Sequence, residues 1–318
     1  MQFTYIQPKS IEEAVKFGET AKLYAGGTDL IGLMKDDIIQ TEKVVNLKKL
    51  INLDKIEDKG GKGLEIGPLA KIVDLIENKT VQEKCPLLVQ TAKEIASPQL
   101  RNMGTVGGNI CQRPRCWYFR GDFDCIRKGG DICYSVGGEN KYHCIVGGGP
   151  CFIVHPSDLA VALLALDAKI EITSKNGQKT VSVNDFFILP ETDPTKENIL
   201  SPGEIITKIV VPEHAKNLKT AYIKFKERAA WDFAVVSVAA ILETNGKMIK
   251  KGRLVFGGVA PRPWMDLDIN NKLTGLKTDD GTLSVFTSSL FTEAEPMEKN
   301  AYKVILARNL VKRIIANI

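Results

Sequence analysis

The stretch that most constrains this 318-residue chain runs from Met103 to Asp158. It opens with Gly104-Thr105-Val106-Gly107-Gly108-Asn109 and carries six of the seven cysteines: Cys111, Cys116, Cys125, Cys133, Cys144 and Cys151. It closes with His155-Pro156-Ser157-Asp158 ahead of an apolar helix. A glycine loop and a capped helix start both gather backbone N–H groups toward an anion, and thiols are soft metal ligands. Together they point to redox chemistry with a phosphate-bearing organic cofactor and a metal cluster. About forty glycine-rich residues without regular structure also need something to fold around inside a compact domain.

Successive cysteines are 5, 9, 8, 11 and 7 residues apart. No C-x-x-C pair of a zinc knuckle or a redox disulfide occurs, nor the tight run of a ferredoxin. Spacing alone leaves an iron–sulfur cluster, a zinc site and inert buried thiols all open. Composition tilts toward a cluster, because Gly121, Gly129, Gly130, Gly137, Gly138 and Gly147 to Gly149 let a loop wrap tightly and turn N–H groups toward sulfur. Arg113, Arg115, Arg120, Arg127 and Lys128 are placed to offset a thiolate-rich site. His143 is more economically a hydrogen-bonding neighbour of that site than a ligand. Cys85 stands apart, before Pro86, as a small buried filler.

Net charge is +5, from 43 basic and 38 acidic residues, with no basic arm and no zinc-finger or helix-turn-helix pattern. Nucleic acid is therefore not expected as a partner. Met1-Gln2-Phe3-Thr4-Tyr5 lacks a signal-peptide pattern, and no segment reaches the ~20 apolar residues that span a bilayer. The expectation is a cytoplasmic protein with no membrane partner, and seven cysteines are too few for a disulfide scaffold.

Along the chain, Ser10-Ile11-Glu12-Glu13 reads as a capping box for a helix to about Gly18. Lys22 to Ala25 reads as a brief strand breaking into Gly26-Gly27-Thr28-Asp29 and then the apolar Leu30 to Met34. Short strands are expected at Val44 to Leu47 and Leu64 to Ile66, and helices from about Asp74 and from Pro86 to Ala96. Ser157-Asp158 caps a buried helix, Leu159 to Leu166. A hairpin turns at Asn176-Gly177 between Lys169–Thr173 and Lys179–Val183, and Glu204 to Val211 is a further strand. Beyond a boundary at about 213–219 come longer strands at Thr220–Lys226, Ala234–Glu243 and Met248–Phe256. A helix at Tyr302–Ile318 follows, with an apolar face of Ile305, Leu306, Leu310, Val311, Ile314 and Ile315. This last region offers no chemistry of its own in the sequence.

Read together, Ala25-Gly26-Gly27-Thr28-Asp29-Leu30, Thr105-Val106-Gly107-Gly108-Asn109, Pro156-Ser157-Asp158-Leu159, Asp232-Phe233-Ala234 and Gly257-Gly258-Val259-Ala260-Pro261 follow one family's order over essentially the whole chain. The chain resembles the FAD-binding (medium) subunit of the molybdenum hydroxylases, the xanthine dehydrogenase family. The resemblance implies an α+β fold: a two-part FAD-binding domain over 1–215, with subdomains of about 1–55 and 56–215, and an antiparallel-sheet-plus-helix domain over 216–318. It implies that Ala25, Gly26, Gly27, Thr28 and Asp29 hold the FAD pyrophosphate through backbone N–H groups. Thr105, Gly107, Gly108 and Asn109 would supply the second half of the cradle, Ser157 and Asp158 would touch the cofactor with Asp158 accepting from a ribose hydroxyl, and Lys224 or Lys226 would face the flavin.

Most members pass from Gly-Gly-Asn to Pro-Ser-Asp within a few residues, whereas here 111–151 intervenes. That insertion resembles the cluster-bearing type, as in bacterial aldehyde oxidoreductase and 4-hydroxybenzoyl-CoA reductase flavoprotein subunits. It implies a [4Fe–4S] cluster on Cys116, Cys125, Cys133 and Cys151, with Cys111 and Cys144 as substitute ligands. The implied partners are a large molybdenum-cofactor subunit, a small [2Fe–2S] subunit and an electron acceptor such as ferredoxin. The rival readings are a stand-alone FAD oxidase or reductase and a zinc-stabilised scaffold subunit. Trp264-Met265-Asp266, where many members place an arginine after the proline, departs from the pattern.

Overall fold

The computed structural model describes residues 2–215 and 218–317. Expected positions 1, 216, 217 and 318, including the start of the second domain at 216, lie outside the described residues. Among the described residues no helix is long and apolar enough to cross a membrane.

Three sheets organise the described residues. Strands β1 (Thr4–Ile6), β2 (Lys22–Tyr24) and β3 (Lys43–Asn46) form a small parallel sheet in the order β1-β3-β2. The helix Ile11–Gly18 connects its first two strands, and Ser10 Oγ accepts from the Glu13 amide at 3.2 Å. The Glu13 carboxylate reaches back one residue further than a capping box requires, to the Lys9 amide at 2.7 Å. Strands β4 (Ile56–Asp58), β5 (Leu64–Ile66), β6 (Lys169–Ser174), β7 (Gly177–Ser182) and β8 (Ile205–Val211) make an antiparallel sheet in the order β4-β5-β8-β6-β7. Strands β9 (Lys219–Phe225), β10 (Val236–Asn245) and β11 (Met248–Gly257) form the third, an antiparallel meander.

The helix Asp158–Ala165 is buried along its whole length because it lies between regions. Its Leu159, Val161 and Leu163 share one core with Leu64, Ile66 and Leu88 on one side and with Tyr222, Ala239 and Val255 of the third sheet on the other. An amphipathic helix exposes a stripe to water; this one has neighbours all round, so it is apolar all round. The sequence reading missed the helices Lys79–Lys84, Leu267–Lys272 and Asp280–Ser288. Asn78, Asp266 and Asp279 cap them, each side chain accepting from a backbone amide of the first turn, as these residue types do at helix starts. On the final helix, Tyr302–Asn317, Ile305 is 63% exposed while Lys303 is 0% exposed. Leu310, Val311, Ile314 and Ile315 of the expected face are buried and Leu306 packs partly against the same core, so only Ile305 departs from it and Lys303 joins it.

The cysteine segment holds a short helix, Trp117–Arg120, and a 3-10 turn, Ile126–Lys128. Phe119 and Cys125 bury against Leu33 of the helix Leu30–Lys35, and Ile145 enters the core of the C-terminal region. The amides of Ile145 and Val146 both donate to Val259 O, at 2.8 and 3.2 Å. The insertion is thus fastened to both ends of the molecule.

Candidate cofactor site

After β2 the chain turns through Gly26 and Gly27, the latter at φ +72°. The space between this turn and the second glycine loop is very small: a Cβ on Gly26 would sit 2.1 Å from Met103 O. Glycine at 26 is what lets the two loops touch. Among the described residues the amide groups from Gly26 to Leu30 find no acceptor, and these residues line a cavity of about 430 Å³ with Thr105, Gly108 and Gln112. A run of unsatisfied backbone donors at such a cavity suits an anion.

The second loop is used differently from the expectation. Thr105 Oγ accepts from the Gly108 amide at 3.1 Å, the Val106 amide donates to Ala70 O at 2.9 Å, and the Gly107 amide donates to Pro68 O at 2.8 Å. Its donors are spent on folding the loop. A Cβ on Gly107 would meet Pro68 Cβ at 2.7 Å, so glycine at this position lets the proline pack against the loop. Asn109 Oδ1 accepts from Ser157 Oγ at 2.6 Å, and Ser157 Oγ in turn accepts from the Ala160 amide at 3.0 Å. This bond ties the second glycine loop to the wall of a second cavity of about 360 Å³, lined by Ser157, Asp158, His143, His155, Trp117, Tyr142 and Phe233 among others. Gly107 and Asn109 line neither cavity.

Asp158 is 5% exposed and already engaged: its carboxylate accepts from Tyr222 Oη at 2.6 Å and Lys224 Nζ at 2.7 Å. Burial first, and then Asp158, raises the Tyr222 hydroxyl well above its usual range, so tyrosine remains the donor. Lys224 also donates to Glu94 O at 3.0 Å, and Lys226 pairs with Glu94 Oε2 at 2.7 Å. Neither lysine lines either cavity. The two lysines therefore brace the Asp158 helix and Glu94 in this geometry.

The basic residues of the cysteine segment also go elsewhere than expected. Arg115 and Arg120 both pair with Asp29, and the Arg113 amide donates to Asp29 Oδ2 at 2.8 Å. Burial works against the Asp29 carboxylate, but Arg115, the Arg113 amide and Arg120 outweigh it and hold it below its usual range. Arg113 pairs with Glu197 at 3.0 Å, and the Lys128 ammonium donates to Gly121 O at 2.8 Å. Arg127 alone reaches a thiol, with Nε 3.4 Å from Cys151 Sγ, while its other end pairs with Glu197. Arg127 and Glu197 are both buried, and Glu197 went unnoticed in the sequence because a lone glutamate in a polar loop carries no signal.

Among the cysteines, Cys151 donates to Cys133, pushing the Cys133 thiol down to about 5 and the Cys151 thiol up. Backbone amides approach the sulfurs: Phe119 and Tyr118 at Cys116, Phe152 and Ser135 at Cys133, Ile153 at Cys151. None of these donors is a glycine. Cys116 Sγ lies 3.3 Å from His143 Nε2, which places His143 beside the thiols as expected. Burial pushes Cys116 to about 11 and both Cys111 and Cys144 to about 12. Among the described residues no group of three or more His, Cys, Asp or Glu side chains converges as on a single metal ion. Cys85 is buried apart from the rest, as a filler.

A loop of free amides closing on a second glycine loop, with a buried helix bridging to an antiparallel third sheet, defines a dinucleotide-binding redox subunit. The description "FAD binding domain in molybdopterin dehydrogenase" fits residues 1–214, and "CO dehydrogenase flavoprotein C-terminal domain" fits residues 220–318. The aldehyde oxidoreductase FAD-binding subunit PaoB of Escherichia coli (strain K12) is 35% identical, over 99% of this chain and 97% of its own. The carbon monoxide dehydrogenase medium chain of Hydrogenophaga pseudoflava is 27% identical, over 99% and 96%. A solved structure of carbon monoxide dehydrogenase from that organism, lacking the Mo-pyranopterin moiety of the molybdenum cofactor, matches at a TM-score of 0.77 with 27% identity, over 98% of this chain and 96% of that one. The chain belongs to the FAD-binding medium subunits of the molybdenum hydroxylases, and is an FAD-dependent oxidoreductase subunit of the aldehyde, carbon monoxide and xanthine dehydrogenase type.

Proposed function

We propose that this chain is the electron-transfer subunit of a multi-subunit molybdenum hydroxylase, standing between the [2Fe–2S] clusters of a small subunit and an external acceptor. Substrate chemistry would belong to a large molybdenum-cofactor subunit, as the names of the relatives suggest. The observation that carries the reading is the row of free amides from Gly26 to Leu30 on the first cavity. FAD supplies the exchange between one-electron and two-electron transfer that iron–sulfur clusters cannot make.

The residues present fit a dinucleotide. Gly26 to Asp29 would hold the pyrophosphate, Gly27 supplying the left-handed turn and Asp29 fixing the loop through Arg115 and Arg120. Ser157 and Asp158 would meet the cofactor from the second cavity, and the Thr105–Asn109 loop would brace it from behind. Lys224 and Lys226 would act through Asp158 and Glu94.

A [4Fe–4S] cluster on Cys116, Cys125, Cys133 and Cys151 belongs to the same reading. A cube spreads its thiolates over four corners, so single-ion geometry is not what it asks for; amides directed at sulfur and a buried Arg127 beside Cys151 are. Such a cluster suits a one-electron partner such as a ferredoxin, and free thiols suit the cytoplasm. The test is the visible spectrum of the purified chain with FAD and iron counted per chain. Flavin bands over a broad cluster absorption are expected. Flavin without iron removes the cluster, and folded colourless protein that takes up no added FAD overturns the whole reading.

A further inference from the structure

Lys303, near the start of the final helix, is 0% exposed, yet among the described residues its ammonium meets no carboxylate: Nζ donates to Tyr142 O at 2.7 Å, His143 O at 2.9 Å and Gly258 O at 2.7 Å. Asn300, one turn earlier and also 0% exposed, donates from Nδ2 to His143 O at 3.2 Å and Cys144 O at 3.1 Å. Burying a lysine without an acidic partner costs free energy that a methionine of similar shape would not. Burial, opposed by the neighbouring Cys144, pushes its ammonium down to about 7. The three carbonyls it grips have one thing in common. Tyr142, His143 and Gly258 all line the second cavity, two of them from the cysteine segment and one from just beyond β11.

We propose that Lys303 is a positioning residue for the part of the bound FAD that enters the second cavity, acting through the backbone of the cavity wall. Its three N–H donors fix the cysteine segment against the third sheet, so the width of the second cavity is set from the C-terminal helix. Asn300 adds two bonds to the same wall. The inference rests on the FAD reading above, because that reading is what places the cofactor in this cavity. It assigns a role in the site to a region whose sequence offered no chemistry.

The experiment titrates the full-length apo-chain with FAD, following quenching of flavin fluorescence, for wild type, Lys303→Met, Lys303→Gln and Asn300→Ala. Methionine keeps the volume and loses every donor; glutamine keeps two donors and loses the charge. Lys303→Met is expected to bind FAD about tenfold more weakly, with Lys303→Gln within about threefold of wild type and Asn300→Ala about threefold weaker. A folded Lys303→Met that binds like wild type overturns the proposal, since packing alone would then suffice. Glutamine no better than methionine also overturns it, because the charge and not the donors would then matter. Should Lys303→Met fail to fold, Lys303→Gln and Asn300→Ala decide: wild-type affinity in Asn300→Ala together with a tenfold loss in Lys303→Gln overturns it. Wild-type chain that takes up no FAD overturns the reading beneath and is told apart by that control.

Discussion

The loop Ala25–Leu30 and the segment Cys111–Cys151 stand next to each other and are built on opposite plans. The loop presents its own backbone: its donors are free, its turn is made by Gly27, and its contact with Met103 depends on the missing side chain of Gly26. The segment depends on side chains from elsewhere, on Glu197, Leu33, Asn300 and Lys303. The difference teaches that an anion site can be local, because amides are supplied at every residue, whereas convergence of distant thiols has to be imposed by packing.

If that contrast is right, the two regions can be broken separately. Gly26→Val should have the largest effect, since a Cβ 2.1 Å from Met103 O forces the loops apart; FAD occupancy should fall to near zero while iron per chain persists. Cys116→Ser should do the reverse, removing iron while FAD remains, and Cys85→Ser should change neither. Iron unchanged in Cys116→Ser would strike that residue from the ligands.

Glu197→Gln sharpens the comparison because Glu197 lines the same cavity as the loop while pairing with Arg113 and Arg127 of the segment. Leaving buried Arg127 without its counter-charge should cost about 3 kcal/mol, read from chemical denaturation. A loss under 1 kcal/mol would show that the two regions are not tied there.

A smaller effect is expected from pH. Burial, then the charges of Arg127 and Arg115, hold His155 neutral and push its pKa down to about 3, against about 6.5 when unfolded. The folded state binds fewer protons, so this contribution is complete above pH 6.5 and is lost as pH falls toward 3. Between pH 6.5 and 5 it should cost about 2 kcal/mol, and His155→Asn should flatten that slope in denaturation measured at both pH values. An unchanged slope would place the histidine in water.

Much of the fold was legible because its signals are local. Ser10, Ser157 and Asn176-Gly177 each act within a few residues, and each falls where a helix starts or a hairpin turns. The family's order of motifs gave the cofactor class for the same reason. What misled was partnership. Five basic residues near six thiols looked like charge compensation, yet Arg115 and Arg120 turned to Asp29 and only Arg127 reached sulfur. Gly107, expected in the cofactor cradle, is held to glycine by its packing against Pro68.

By itself the sequence determined where backbone donors would be left free and which residues were soft enough to bind metal, since both are properties of a residue and its immediate neighbours. Only the tertiary structure decided that Asp158 would be occupied by Tyr222 and Lys224, and that a lysine from the last helix would grip the wall of the second cavity. The physical reason is that a buried charge must be satisfied by whatever packing brings within hydrogen-bond reach, and nothing in the spacing along the chain names that partner.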